Sequence, residues 1–521
     1  MSGQGASYDS KSKTFSLGNI GMGLYSDVNL FDIPSGGASA CNNVLWTDGY
    51  LRPRPGLASI YTPLTPFVGA ICHLGLYTDF QDNVTLMAVT RPTSTTLNIY
   101  AYVTSWTLVL GGLVGDENIP ITSCNFKGYW WVTTGAGDMY RFDGTTLSAV
   151  QGLQSTARFK IFDKPRIVVA GDSRLFIAGC CTSQDGSNAN FTSYRVAWSD
   201  FLLGEVWGGG TGGGSSGYVD FAQDSAPVSG LYYSNSSLLV FKPNSIYLGF
   251  AAGPPKTYDF RQFVSGVGCI SHQTIKRFRE GQIIWLGDDD IYVGGPGVNP
   301  VPIGSRVRPQ IRNVVNLPTI AKSTAVIDQQ NYLYHLIMPL QGNGRISKLF
   351  TVNLRNSSWW EGALAVPNLS IGGAVEFRLS PWRTRQLLGG TDGLIYDFDL
   401  GNTSDNGTTF ACTWRSSMAA VRRLTQQATE QATIEHLRVQ ALRGLNKEVT
   451  LSALCGNGMD RMQTTTFGTQ AIDGTSDYMV SDRPYAAEHF QVQISSTGDS
   501  WPAIAELGVA FKLRSQTQRR A

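Results

Sequence analysis

Charge is scarce in this sequence. Lys, Arg, Asp and Glu together make up 15% of its 521 residues, where an average soluble protein has about 25%. Gly, Ser, Thr and Asn must therefore supply the polar cover, and a surface of that kind suits lasting contact with other protein. The two signs nearly cancel, 41 basic against 39 acidic residues, which leaves out the basic stripe that marks nucleic-acid binders. The one dense basic run is the tip from Arg514 to Arg520. A solvated tail accounts for it, as would a contact with nucleic acid or with an acidic patch on a partner.

Histidine is scarcer still. His73, His272, His335, His436 and His489 are the only five, and none is paired at metal-ligand spacing. His335 and His436 alternate with apolar neighbours and read as ordinary strand positions. The eight cysteines (Cys41, Cys72, Cys124, Cys180, Cys181, Cys269, Cys412 and Cys455) are dispersed, with no CxxC pair. That spacing fits neither a disulfide framework nor a zinc site, and predicts reduced, mostly buried thiols in a protein made in a cytoplasm. No stretch approaches the ~18 consecutive apolar residues of a membrane-spanning helix. Met1 to Asn19 is polar, so no signal peptide is expected.

The signatures of common chemistry are also missing. There is no GxSxG, HExxH or dinucleotide fingerprint, and the Gly208 to Gly217 insertion lacks the Lys and Thr of a phosphate loop. Propeller glycosidases need paired carboxylates across a cavity. The candidates Asp143, Asp328 and Asp399 stand in turns, where Asp is expected for backbone reasons alone. Sialidase-type Asp boxes are absent. The reading is therefore of a non-enzyme with no catalytic residue, no cofactor and no metal. The one conspicuous charge cluster is Asp288-Asp289-Asp290. Consecutive turn residues point in different directions, so a tight turn is the plain reading. A cation site, or an acidic patch facing a channel, is the functional one.

What the chain does have is strand signal. Gly (58) and Pro (22) interrupt it too often for long helices; the best helical stretch, Leu424 to Gln431, is short and Gln-rich. Runs such as Tyr129-Trp-Trp-Val-Thr133, Arg174-Leu-Phe-Ile-Ala178, Ser237-Leu-Leu-Val-Phe241, Gln282-Ile-Ile-Trp-Leu286 and Gln386-Leu-Leu-Gly389 are β-branched or aromatic and bounded by turn residues. Several lead into a second strand in which an aliphatic residue precedes Tyr. Gly137-Asp-Met-Tyr-Arg-Phe-Asp143 and Gly393-Leu-Ile-Tyr-Asp-Phe-Asp399 are near copies, and Tyr100, Tyr247 and Tyr292 sit in weaker relatives. Tyr100 and Tyr140 lie 40 residues apart, Tyr247 and Tyr292 lie 45 apart, and the two wider gaps of 107 and 104 each hold two units. A repeat of about 40–50 residues with four short strands predicts a β-propeller. The expected architecture is all-β: an extended N-terminal arm (1–65), a propeller of six or seven blades (66–401) and a small C-terminal β-sheet or sandwich domain (402–521). A pair of β-sandwiches is the alternative.

Several segments resemble a known group. Asn42-Asn-Val-Leu-Trp-Thr-Asp-Gly-Tyr-Leu-Arg-Pro-Arg-Pro-Gly56 resembles an N-terminal element of bacteriophage tail and head–tail proteins. Tyr194-Arg-Val-Ala-Trp-Ser-Asp-Phe-Leu202 with Val206-Trp207, then Gly217-Tyr-Val-Asp-Phe221 and Leu239-Val-Phe-Lys-Pro-Asn-Ser-Ile-Tyr247, are similar to successive segments of the same group. Ile284 to Tyr292, Val301-Pro-Ile-Gly304 and Asn353 to Trp360 continue the likeness, which covers roughly residues 40 to 400. The group is the propeller-bearing nozzle or hub proteins of short-tailed bacteriophages. The resemblance implies a structural virion protein of the tail, made in the host cytoplasm. Copies of it, commonly six, form a ring that continues the DNA channel below the portal and adaptor proteins. Implied partners are other copies, the adaptor and portal side, tail fibres or spikes, and double-stranded DNA in passage, with no membrane span. Asp288, Asp289 and Asp290 would then be candidates for a channel-facing acidic turn that repels the duplex. Rival readings are a receptor- or glycan-binding propeller adhesin, with Trp359 and Trp360 as sugar-stacking platforms, and a propeller glycosidase.

Overall fold

The computed structural model describes residues 13–17, 20–61, 67–150, 164–181, 191–207, 215–253, 256–279, 281–380, 383–420, 431–442, 447–456, 463–472, 477–480 and 486–514. Strands dominate. The only α-helix among the described residues is the single short one at Arg308–Val314. The expected stretch from Leu424 to Gln431 lies almost wholly outside the described residues, as does the basic tip beyond Arg514.

Seven four-stranded antiparallel sheets follow one another along the chain. Six are local, at 70–114, 122–149, 167–220, 230–265, 276–302 and 324–363. The seventh takes three strands from 371–399 and its fourth from the N-terminal side, where Gly56–Ile60 pairs with Ile395–Asp399. This is a β-propeller of seven blades, with its ring closed by a strand from before the first blade. The recurring tyrosines mark equivalent positions: Tyr100, Tyr140, Tyr247, Tyr292 and Tyr396 all fall in the third strand of their blades.

Local chemistry explains the hairpins. Two-residue turns between right-twisting strands need two consecutive positive φ angles. Lys127-Gly128, Asp172-Ser173 and Asn235-Ser236 supply them between the first and second strands of blades 2, 3 and 4. Between blades, aromatic rings fill the wedge: Tyr77 meets Phe142 at 5.2 Å, Trp198 meets Tyr258 at 5.2 Å and Phe241 meets Trp285 at 5.3 Å. Trp130, Trp131, Trp285, Trp359 and Trp360 are among the largest fully buried side chains. Where blade 7 returns to blade 1, Gly372 and Gly373 press against the backbone of Ile71 to Leu74, leaving no room for a Cβ.

The N-terminal segment differs from the extended arm expected over 1–65. Lys13–Ser16, Ala38–Asn42, Val44–Thr47 and Tyr50–Pro53 are strands of a second unit, shared with Ala411–Ser416 and the strands after it. That unit has two sheets. One holds Val44–Thr47, Tyr50–Pro53, Ile504–Arg514, Gln431–Ala441 and Asp477–Val480; the other holds Ala38–Asn42, Ala411–Ser416, His489–Thr497, Lys447–Gly456 and Gln463–Ile472. Residues of both sheets join one apolar core with those of blades 5 and 6. The expected limits at 65/66 and 401/402 therefore shift: the propeller borrows 56–60, and the C-terminal β unit is completed by 13–53. These N-terminal strands run only four or five residues, and apart from the hairpin of Val44–Thr47 with Tyr50–Pro53 they pair across hundreds of positions. No local periodicity could have shown them.

The chain crosses between the two units twice, and one ion pair ties both crossings. Arg54, 3% exposed, stands just before the closing strand, and Asp405, 0% exposed, follows the last blade. Arg54 Nη1 donates to Asp405 Oδ1 at 2.9 Å and Nη2 to Oδ2 at 2.6 Å. Arg54 Nε donates to Asn43 Oδ1 at 2.8 Å, and Nη1 and Nη2 donate to the Pro55 and Ala363 carbonyls at 2.7 Å each. The guanidinium lies 4.0 Å from the centre of the Phe410 ring. The Arg-Pro-Arg-Pro-Gly motif is thus the neck of the molecule. Its Gly56 sits against the carbonyl oxygens of Asn402 and Ser404, where a Cβ would clash.

Candidate functional site

Asp288, Asp289 and Asp290 form the turn between the second and third strands of blade 5. Asp290 is buried. Its Oδ1 accepts from the Ile291 and Gly304 amides at 2.7 Å each, and its Oδ2 pairs with Arg308 at the start of the helix. Asp289 Oδ1 accepts from the Tyr292 hydroxyl at 2.6 Å; burial first, then this carboxylate, pushes the phenol's pKa upward. Only Asp288 is exposed without such a bond. The turn closes a cleft of about 250 Å³ whose wall includes Leu286, Ile311, Arg312, Leu317 and Ile320. So Asp290 holds the blade-to-helix connection, and Asp289 fastens the hairpin to its own third strand.

The other acidic candidates are turn residues. Asp143 Oδ1 accepts from the Thr145 and Thr146 amides at 2.9 and 2.7 Å, and these bonds, that of Thr146 foremost, hold its carboxyl below the usual range. Asp328 Oδ1 accepts from the Gln330 and Asn331 amides, and Asp399 Oδ1 from that of Gly401. Trp359 and Trp360 are 0% and 1% exposed, with Trp359 Nε1 donating to the Ile303 carbonyl at 2.7 Å. They are core, and the expected sugar-stacking platform is not there. His335 is likewise buried in its strand, its Nδ1 2.9 Å from Thr351 Oγ1, and burial pushes its pKa down to about 3.

The hub holds a group that sequence spacing did not reveal. The first strand of each blade presents one unpaired edge to the propeller axis, and those N–H and C=O groups need partners. Side chains supply some of them. Gln273 Nε2 donates to the Ile121 carbonyl at 3.5 Å, and Glu376 Oε1 accepts from the Ile327 amide at 3.0 Å. His73 Nε2 lies 2.8 Å from Ser123 Oγ, and His272 Nδ1 accepts from the Leu231 amide at 3.4 Å. Between them opens a cavity of about 280 Å³, walled by blades 1, 2, 5, 6 and 7. Lys276 is the only charged side chain in its wall. Burial, reinforced by the Lys276 ammonium, pushes His73 down to about 3 and His272 down to about 4, so both rings are neutral at pH 7. Glu376, just outside the wall, is raised by burial, with Lys276 opposing. His73 and His272 stand 199 residues apart; only the closing of the ring brings them together.

A second feature lies at a blade's periphery. Asp200 follows the third strand of blade 3, and its Oδ1 accepts from the Phe201 amide at 2.8 Å and from Ser215 N and Oγ at 2.9 and 2.6 Å. Leu202 N donates to the Ser173 carbonyl at 2.8 Å and is held at φ +62°. The result is a bonded loop that presents Phe201, Leu202 and Leu203 at 51%, 42% and 52% exposure. It is built from the Trp-Ser-Asp segment noted in the sequence.

No protein-family model and no curated protein matches the chain. Among solved structures, the WD40 domain of Neurospora crassa Pan2 is similar over 66% of this chain and 94% of its own, at 11% identity and a TM-score of 0.37. The WD40 propeller domain of Doa1 is 10% identical over 66% of this chain and 96% of its own, with a TM-score of 0.37. YCF48 from Cyanidioschyzon merolae is 12% identical over 66% of this chain and 98% of its own, with a TM-score of 0.35. The propeller itself is established by the seven sheets of this chain. No described helix is long and apolar enough to cross a membrane.

Proposed function

We propose that this chain is a structural component of a short-tailed bacteriophage tail, the nozzle or hub, and that it works by assembling with copies of itself and with neighbouring tail proteins. The observation that carries the assembly part is the loop Asp200 to Val206. Exposed apolar side chains on a loop fixed by its own hydrogen bonds bind without a large ordering cost. The low charge content and the self-closed propeller, whose ring leaves few unpaired edges, support a rigid body in permanent contact with protein. The tail assignment rests on the sequence resemblance over residues 40 to 400. In that reading the copies, commonly six in the resembled group, form a ring by head-to-tail contacts that close. The adaptor and portal proteins lie above, fibres or spikes attach outside, and double-stranded DNA passes through the lumen.

The test is light scattering of the purified protein, with negative-stain imaging alongside portal and adaptor proteins. A ring or tube, alone or templated on the adaptor, is expected, and the double variant Phe201→Asp/Leu203→Asp is expected to remain folded and monomeric. A chain that stays monomeric beside those partners would overturn the reading, and a glycan-binding screen would then decide for the adhesin.

A further inference from the structure

We infer that the hub cavity is a binding site for a small oxyanion, a carboxylate or phosphate, held between Lys276 and His272. The argument starts from donors. Lys276 Nζ has no hydrogen-bond or ion-pair partner among the described residues, and it lies in the wall of a half-open cavity of about 280 Å³. That volume suits inorganic phosphate or a two- to six-carbon carboxylate.

His272 adds a directed donor. Its Nδ1 accepts from the Leu231 amide, so the neutral ring carries its proton on Nε2. Among the described residues no bond uses that Nε2–H, and the ring lines the cavity. Ser123 Oγ and Gln273 add hydroxyl and amide groups on the same wall. With both histidines neutral, the wall carries one positive charge, that of Lys276. Glu376 stands behind it, its Oε1 engaged by the Ile327 amide, and balances the ammonium from outside the cavity. A positive charge and an imidazole N–H facing one cavity are matched by an anion with several acceptor oxygens. The site is independent of the assembly role, and neither depends on the other being right.

The experiment is calorimetric titration of the full chain with inorganic phosphate and, separately, with malonate, using glycerol as the uncharged control. Binding of at least one anion and none of glycerol is expected; which anion binds tells phosphate from carboxylate. Lys276→Gln should weaken that binding about tenfold to a hundredfold, the worth of one charge-assisted hydrogen bond. The exposed-lysine variant Lys256→Gln should leave it unchanged. If Lys276→Gln does not fold, nitrogen-15 spectra of the histidine rings in the unmodified protein serve instead: the anion should shift His272 Nε2. No heat with either anion at millimolar concentration, an undiminished affinity in Lys276→Gln, or an unmoved His272 resonance in the presence of bound anion would each overturn the site.

Discussion

Removing Asp405 should damage this protein more than almost any other single change, and the reason lies in the neck. Asp405 is wholly buried, and its two oxygens receive both Arg54 Nη atoms and the Ala365 amide. In Asp405→Ala the guanidinium stays buried, with carbonyls and Asn43 to satisfy its hydrogens but no opposite charge. Breaking a buried pair in this way costs about 3–5 kcal/mol. Arg54→Met strands the carboxylate instead, at a similar cost. The double variant Arg54→Met/Asp405→Leu removes both charges. What then remains unpaired is the Pro55 and Ala363 carbonyls and the Ala365 amide, for which the loss is about 3 kcal/mol in total at roughly one per net hydrogen bond. The double variant should therefore be more stable than either single one, a coupling that only a direct interaction produces. Guanidinium unfolding followed by tryptophan fluorescence measures all four proteins, since buried tryptophans lie in the propeller (Trp130, Trp285) and in the second unit (Trp414, Trp501). The pair ties both crossings between the units, so the single variants should also split one transition into two. Single losses below about 1 kcal/mol, or a double loss equal to their sum, would refute the clasp.

Two further outcomes follow from burial. His335 has a folded pKa of about 3 against an unfolded value near 6.5, so its neutral form stabilises the fold fully above pH 6.5. That contribution is lost as pH falls toward 3, amounting to about 2 kcal/mol by pH 5. His335→Gln should flatten the fall in stability between pH 7 and pH 5, measured by denaturant unfolding at each pH, and an unchanged slope would rule this out. Gly56→Ala should cost about 1–3 kcal/mol through overpacking against the Asn402 and Ser404 carbonyls. Its signature is early proteolysis in blade 7, and a variant as resistant as the parent would show that the closing strand can shift.

The sequence alone determined the all-β class and the propeller. Both depend on signals that repeat within about 45 residues: an aliphatic residue before Tyr, which falls in the third strand of five blades, and short β-branched or aromatic runs bounded by turn residues. It also identified turn aspartates correctly, because the bonds that Asp143 and Asp399 make are to amides two or three residues on. Tertiary structure decided the rest. The closing strand Gly56–Ile60 meets its partner more than 330 residues away, and the N-terminal strands that read as an arm are too short to show a period of their own. Trp359 and Trp360 look alike in sequence whether they stack on a sugar or on a core, and only the packing of blade 6 on the second unit buries them. The hub is the sharpest case. Histidine spacing along the chain says nothing about residues 73 and 272, because a ring brings together the first strands of all its blades, and their unpaired edges gather polar side chains at the one point that no stretch of sequence can show.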